Sequence, residues 1–320
     1  MNTIHSTFNR VNSSYTVIGG DKQGSATESK DKISVVLLSR HGRPFRSELL
    51  KELITLGFGE ILSVQIVKES HIESDSGDNN DNIRCVLIKN KVTAGEMVNI
   101  GISECLGDYV FVLWDDMNIT SKNISSRVFE KIKESNKICT CPILTTSEGS
   151  IIPSLMTPLF NNDMLKIVQV EDSPSLKTIY PFQYVGIYNK ELFVRSGGYD
   201  IDILNSYWQK LDFGLRANMW GETIVAHKAF QMILNLDKGE VEDITPDESY
   251  RLYSLKNLSV IIKKDIGYLP IKRFFSFLDK SGSSMVDAYK IFSMVRSWVK
   301  TNRYRFKYSA IELTKNWDKE

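Results

Sequence analysis

Two adjacent carboxylates, Asp115 and Asp116, close the run "YVFVLWDD". A strand carrying six mostly apolar residues into a double acid delivers both carboxylates to its C-terminal tip, where the loops of a parallel sheet gather ligands. Two carboxylates at one point repel each other unless a cation neutralises them. A hard divalent ion with oxygen ligands, Mg2+ or Mn2+, suits such a pair, and its usual companion is a phosphate ester. The same acids precede "NITSKNISSRVFEKI" and so also fit a helix N-cap. The two readings differ in whether the carboxylates face a cleft or a backbone.

Positioning such a pair requires a rigid sheet, and the sequence before it supplies one. "KISVVLLS" (32–39) reads as a buried strand running into the turn "RHGRP", and "RSELLKELITLG" as a helix stopping at Gly57. "EILSVQIVK" and "IRCVLIK" are two further strands around the polar loop "ESHIESDSGDNNDN". "AGEMVNIGISECLG" has helical spacing, with Met97, Ile100 and Cys105 inward and Gly107 at its end. Strand, helix, strand, strand, helix, strand predicts an α/β fold with a mostly parallel sheet covered by helices.

Two ordered pieces resemble the inverting nucleotide-sugar glycosyltransferases of family 2. "NIGISECLGDYVFVLWDD" is similar to that family's Asn-x-Gly-Ile, its small-x-Gly-Asp-Tyr and the strand into a metal-binding Asp-x-Asp motif. "GGYDIDILNSYWQKLDFGLRANMWGETIVAH" is similar to its Gly-Gly-Tyr-Asp, its acidic acceptor-side motif with a following Arg, and a strand ending in His. The resemblance runs from about Ile33 to His227. It implies a GT-A (Rossmann-like) fold with a nucleotide-binding half over 32–120 and an acceptor-side half over 121–245. It implies transfer of a sugar from a nucleoside diphosphate-sugar donor to a hydroxyl of a glycan, lipid-linked or cell-surface polysaccharide acceptor, with Mn2+ or Mg2+ as cofactor.

Residue by residue, the resemblance places Asp116 on the last Asp of Asp-x-Asp, as the metal ligand that bridges to the diphosphate. Trp114 stands where the first Asp normally is, with Asp115 between, and His227 fits the His that completes the metal site. Ser39 and Arg40 match nucleotide contacts at the end of the first strand. Gln65 or Glu69 stands where the family grips the base, with Glu69 the choice. Asn99 and Arg216 fall on motif positions of the cofactor-binding set. Asp212 falls on the last acid of the acceptor-side motif and is the candidate base; it is the only carboxylate between Asp202 and Glu222. Asp200 and Asp202 compete for the role, with Asp212 then an acid near a helix start. Gly197 and Gly198 either let the backbone approach the donor sugar or simply cap a helix. The pair that often precedes the last acid is Gln209 and Lys210 here, which together with Trp114 motivates a second reading: a catalytically silent sugar-nucleotide binder or scaffold of the same fold. A nucleotidyltransferase would carry a Gly-rich phosphate loop after the first strand, and "SRHGRPFRS" has one Gly.

The 320 residues, 42% of them apolar, suffice for a substantial core without disulfides. The four cysteines (Cys85, Cys105, Cys139, Cys141) lack zinc spacing and read as reduced core residues. Residues 1–31 are polar, without the apolar core of a secretory signal, and are expected to form a mobile arm on a cytoplasmic protein. A net charge of +1 hides an asymmetry: residues 251–320 hold 15 Lys and Arg against 6 Asp and Glu, so they carry +9 and the remainder −8. Region 246–320 is expected to be helical and amphipathic, with Met285, Ala288, Tyr289, Phe292, Val295 and Val299 on one face. Such a face docks on the parent domain or serves as a homodimer face. Lys272, Arg273, Arg303, Arg305 and Lys307 flank aromatic side chains and suit peripheral contact with the inner face of an anionic membrane. No nucleic-acid reading module accompanies them, so nucleic acid is not an expected partner.

Overall fold

The computed structural model describes residues 13–20, 33–40, 47–66, 83–119, 125–161, 164–234, 242–282 and 284–317. Its strands are β1 (Tyr15–Ile18), β2 (Ser34–Leu38), β3 (Glu60–Ile66), β4 (Ile83–Ile88), β5 (Tyr109–Trp114), β6 (Met117–Asn118), β7 (Cys139–Thr145), β8 (Leu155–Asn161), β9 (Met164–Val170), β10 (Gly186–Asn189), β11 (Ile224–Leu234), β12 (Ile261–Lys263) and β13 (Ile266–Tyr268). The α-helices are α1 (Ser47–Thr55), α2 (Ala94–Glu104), α3 (Ser126–Ser135), α4 (Lys190–Ser196), α5 (Ser206–Met219), α6 (Glu248–Tyr253), α7 (Arg273–Ser281), α8 (Met285–Asn302) and α9 (Ala310–Lys315).

Among the described residues nine strands form one sheet in the order β1-β4-β3-β2-β5-β10-β7-β11-β6. The stretch β4-β3-β2-β5 is parallel, as is β7-β11, while β10 runs antiparallel between β5 and β7. Every residue of β2 is buried, the mark of a central strand covered on both faces. Leu38 of β2 pairs with Val64 of β3 and Trp114 of β5, so β2 and β5 reach their C-terminal tips in register while β3 runs on to Ile66. Helix α2 starts cleanly because Thr93 caps it, accepting the Glu96 N–H at 3.1 Å.

Three differences from the sequence reading stand out, and one alternative it left open, the helix cap, is decided. Residues 15–18 of the expected mobile arm form β1, paired antiparallel with β4 from Tyr15↔Ile88 to Ile18↔Cys85; the rest of 1–31, apart from 13–20, lies outside the described residues. The β8–β9 hairpin was not legible in the pattern. The acids at the tip of β5 cap no helix: Ser125 is the N-cap of α3. Helix α8 buries Ala288, Phe292, Val295 and Val299, but Met285 and Tyr289 face outward. Cys105, Cys139 and Cys141 are buried and all four thiols are free, as expected.

The 246–320 region shares a core with the sheet domain through α5. Phe213 and Ala217 of α5 belong to the main core. Leu211, Leu215 and Met219 join Tyr253, Phe274, Phe292, Val295 and Phe306 in a second cluster. Two of the basic residues expected at a membrane also touch the protein's own surface. Arg305 donates to the Arg195 carbonyl and lies 5.0 Å over Trp220, and Lys307 packs on Gly221.

Candidate functional site

The tip formed by β2 and β5 gathers the first set of expected residues. Ser39 extends β2 by one rung, its N–H donating to the Val64 carbonyl at 3.1 Å, and the Asp115 N–H donates to the Leu38 carbonyl at 3.0 Å. Both loops therefore leave the sheet in fixed directions. The Arg40 N–H lies 3.4 Å from Asp115 Oδ1, and Arg40 Nε donates to Asp116 Oδ2 at 2.8 Å. The Arg40 guanidinium sits 4.2 Å from the centroid of the Trp114 ring, close enough for a cation–π contact. The indole is itself pinned, its Nε1–H donating to the Gln183 carbonyl at 2.7 Å. Gln183 and the next residue, Tyr184, both have positive φ, 51° and 65°. Non-glycine residues held in that region are strained, and such strain clusters at functional sites.

Two buried polar atoms at this tip, Ser39 Oγ and Asp116 Oδ1, have no hydrogen-bond partner among the described residues. Buried polar atoms are nearly always paired, and these two unpaired ones follow the ends of β2 and β5, the paired strands that also position Arg40. Gln65 is engaged with Ser63 at 3.0 Å, and Glu69 lies outside the described residues.

A second set lies on α5 and the loop before it, and the structure gives most of its members another role. Asp212 is completely buried. Its Oδ2 accepts from Arg216 at 3.1 Å and its Oδ1 accepts from Asn257 Nδ2 at 2.7 Å, with Lys256 Nζ 3.7 Å away. Both oxygens of Asp212 are thus enclosed and bonded within the protein, an arrangement that speaks against its expected role as base. Arg216, expected among the nucleotide contacts, is engaged inside the protein: it is buried and donates to the carbonyls of Ser196 and Gly198. That holds the turn in which Gly197, at φ 92°, caps α4; the two glycines are a helix cap. Asn99 is likewise taken. Its Nδ2 donates to the Tyr199 carbonyl at 2.7 Å and its Oδ1 accepts the Tyr199 N–H at 2.9 Å, a two-bond clip that imitates a strand rung.

Asp200 is buried and paired with Lys256. Burial alone would raise its pKa, but the Lys256 ammonium overrides this and holds the carboxyl below the ordinary range. Asp202 alone of the three acids is exposed, its N–H donating to Asp200 Oδ1 at 3.0 Å. Gln209 is a buried hub: its Oε1 accepts the Gly95 N–H at 3.1 Å, and its Nε2 donates to Thr93 Oγ1 and the Asp200 carbonyl, both at 2.9 Å. Lys210 pairs with Glu242. The Tyr184 hydroxyl lies 2.9 Å from Ser206 Oγ and 3.1 Å from Gln209 Oε1. One strained turn, 182–184, thus ties the β5 tip to the start of α5.

His227 does not join Asp116. It pairs with Pro142 of β7, and the ladder resumes only at Gln231 after a bulge. β6, directly after Asp116, pairs with Ile233 and Leu234. At about 3.3 Å per rung, four rungs leave His227 roughly 13 Å short of that pairing. Its imidazole pKa is lowered, by burial first and then by the Lys131 ammonium. Among the described residues no three His, Cys, Asp or Glu side chains converge on one point. Asp115 and Asp116, with the orphaned Oδ1, do fit an Mg2+ or Mn2+ held by one or two carboxylates and completed by phosphate oxygens.

Solved structures resemble this architecture over most of the chain. The 1–349 fragment of S. aureus TarS matches with a TM-score of 0.50 and 15% identity over 89% of this chain and 77% of its own. GalNAc-T7 with UDP, GalNAc and Mn2+ matches with a TM-score of 0.52 and 14% identity over 87% of this chain and 59% of its own. The chain has the GT-A fold. It spans 44% of the length of the longer TarS structure, which it matches with a TM-score of 0.50. No protein-family model matches the sequence, and no curated protein matches it significantly.

Proposed function

We propose that the protein is a nucleotide-sugar glycosyltransferase of inverting stereochemistry, with its donor diphosphate seated at the tips of β2 and β5. The observation that carries this is the pair of orphaned buried oxygens, Ser39 Oγ and Asp116 Oδ1, beside the Arg40 guanidinium in a GT-A fold. The similarly folded GalNAc-T7 was solved with UDP, GalNAc and Mn2+, which supports a uridine or other nucleoside diphosphate here and a divalent cation on Asp116 with Asp115. Bound there, that cation would neutralise charge on the departing diphosphate.

The chain's own residues have separable tasks. Arg40 and the 182–184 turn shape the donor seat, and Trp114 gives it a floor. Asp202, the exposed acid next to the α5 start, is the base. It takes the proton of the acceptor hydroxyl as that oxygen forms its bond to the sugar C1 and the bond from C1 to the diphosphate oxygen breaks. The sealed carboxylates Asp200 and Asp212 hold the wall behind it. The acceptor is a hydroxyl of a glycan or lipid-linked polysaccharide. Exposed Ile271, Phe275, Met285, Val286 and Tyr289, near Lys272 and Arg273, suit a protein working peripherally on the cytoplasmic face of an anionic membrane.

The deciding experiment incubates the protein with Mn2+ and a panel of nucleotide sugars and measures nucleoside diphosphate release with and without acceptor glycans. Release from at least one donor is expected. Asp116→Ala should abolish it together with nucleotide binding, while Asp202→Asn should retain binding and lose turnover. The sealing of Asp212 also favours a second reading, a sugar-nucleotide binder without turnover; binding across the panel with no release would establish that reading instead.

A further inference from the structure

We infer that Arg40 is a tethered counter-ion for Asp116 that changes partners when a donor arrives, so that metal binding and diphosphate binding are strongly coupled. The inference rests on the donor seat proposed above. In the protein alone, Arg40 Nε donates to Asp116 Oδ2 at 2.8 Å and the guanidinium carbon sits over Trp114, 4.2 Å from the ring centroid. Its main-chain N–H approaches Asp115 at 3.4 Å. Arg40 thus contacts both acids that would hold the cation.

The consequence follows from charge. A divalent ion alone must share Asp116 with a guanidinium, and two cations on one carboxylate repel. A nucleoside diphosphate gives the guanidinium a stronger partner, since a planar guanidinium meets phosphate oxygens with paired donors. Arg40 then leaves Asp116 for the diphosphate, and the carboxylate passes to the metal. The Trp114 ring, fixed by its bond to the Gln183 carbonyl at 2.7 Å, is the platform across which the side chain pivots. This gives a physical reason for an indole at the place where the resemblance leads one to expect a first Asp: the platform orients a built-in cation and spares the seat a further negative charge. The orphaned Ser39 Oγ and Asp116 Oδ1 are the two atoms that complete their bonds once this exchange has happened.

The exchange is read out by binding, without turnover. Free Mn2+ is followed by electron paramagnetic resonance, titrated into the full chain alone and with saturating UDP or GDP. For the wild type, nucleotide should tighten Mn2+ binding by well over tenfold. Arg40→Gln should bind Mn2+ alone about fivefold more tightly than the wild type, the size of a partly exposed ion pair, and should lose most of the nucleotide effect. Arg40→Lys, which keeps the charge without the planar fork, should restore weak Mn2+ binding but not the full coupling. Trp114→Phe, which keeps a buried ring but loses the N–H that bonds the Gln183 carbonyl, should weaken the coupling while leaving Mn2+ binding without nucleotide close to that of the wild type. If Arg40→Gln binds Mn2+ alone no more tightly than the wild type, or retains the full nucleotide effect, the inference is wrong and the donor seat stands. If wild type and variants bind neither Mn2+ nor the nucleotides, the donor seat falls, and the inference with it.

Discussion

The β2–β5 tip and the α5 cluster both carry acids and arginines at positions a family resemblance picks out, and the structure treats them oppositely. At the tip, one carboxylate oxygen and one hydroxyl are buried without partners and the backbone beside them is strained. Around α5, Asp200, Asp212, Arg216, Lys256 and Gln209 are buried and bonded to one another or to main-chain carbonyls. A saturated polar cluster fixes a shape, whereas an unpaired buried polar atom is costly until something completes it. Acids at motif positions can therefore act as scaffolding around α5 while those at the β5 tip are left for the proposed donor seat.

The largest expected effect tests that contrast directly. Asp212→Ala strands the guanidinium of Arg216 and leaves Lys256 with one acid fewer, and breaking such a buried network costs about 3–5 kcal/mol. Chemical denaturation should show it as a clear drop in midpoint. Asp116→Ala should cost under about 1 kcal/mol, because its ion pair is partly exposed, yet it should remove diphosphate binding. Similar stability losses for the two variants would erase the distinction between scaffold and seat.

A smaller loss is expected where α5 presses on the chain beside it. A Cβ on Gly214 would sit 1.9 Å from the Ile179 carbonyl oxygen, so Gly214→Ala must push α5 from the 179–180 segment. Overpacking of this kind costs about 1–3 kcal/mol. Because α5 backs the 182–184 turn through Tyr184 and Gln209, nucleotide affinity should fall with it. An Asp212-like stability loss with unchanged nucleotide affinity would show that the two regions are mechanically independent.

The parallel core and the acids at its tip were legible because short-range signals specify them: an apolar run, a helix stop at Gly57, a strand ending in Asp115 and Asp116. What the sequence hid depends on partners far along the chain. Gln209 looks like a lost acid until Thr93 and Gly95, more than a hundred residues earlier, are seen to bond it. Trp114 looks like a lost ligand until Arg40 is found stacked on it. Asp212 keeps its motif position but is closed by Lys256 and Asn257, which sit in a π-helical turn (Ser254–Leu258) with no local sequence signature. β1 was missed because "YTVI" is too short to stand out in a polar stretch. His227 was misplaced because three residues of bulge break the strand's count after it.

That misplacement yields the smallest effect and a sharp check on the register. Burial and the Lys131 ammonium lower the His227 pKa in the folded protein relative to its ordinary value near 6.5. The unfolded chain therefore takes up its proton first as pH falls. The stability tied to His227 is whole above about pH 6.5 and is lost as pH drops through that value towards the lowered folded pKa. Urea denaturation of wild type and His227→Gln at several pH values between 7.5 and 5 should show the wild type losing slightly more stability than the variant over that interval, and Lys131→Met should reduce the difference. If β11 sets His227 apart from the seat, the same His227→Gln variant must bind Mn2+ with UDP or GDP as the wild type does. A loss of that binding would bring the imidazole to Asp116 and make the two regions one site.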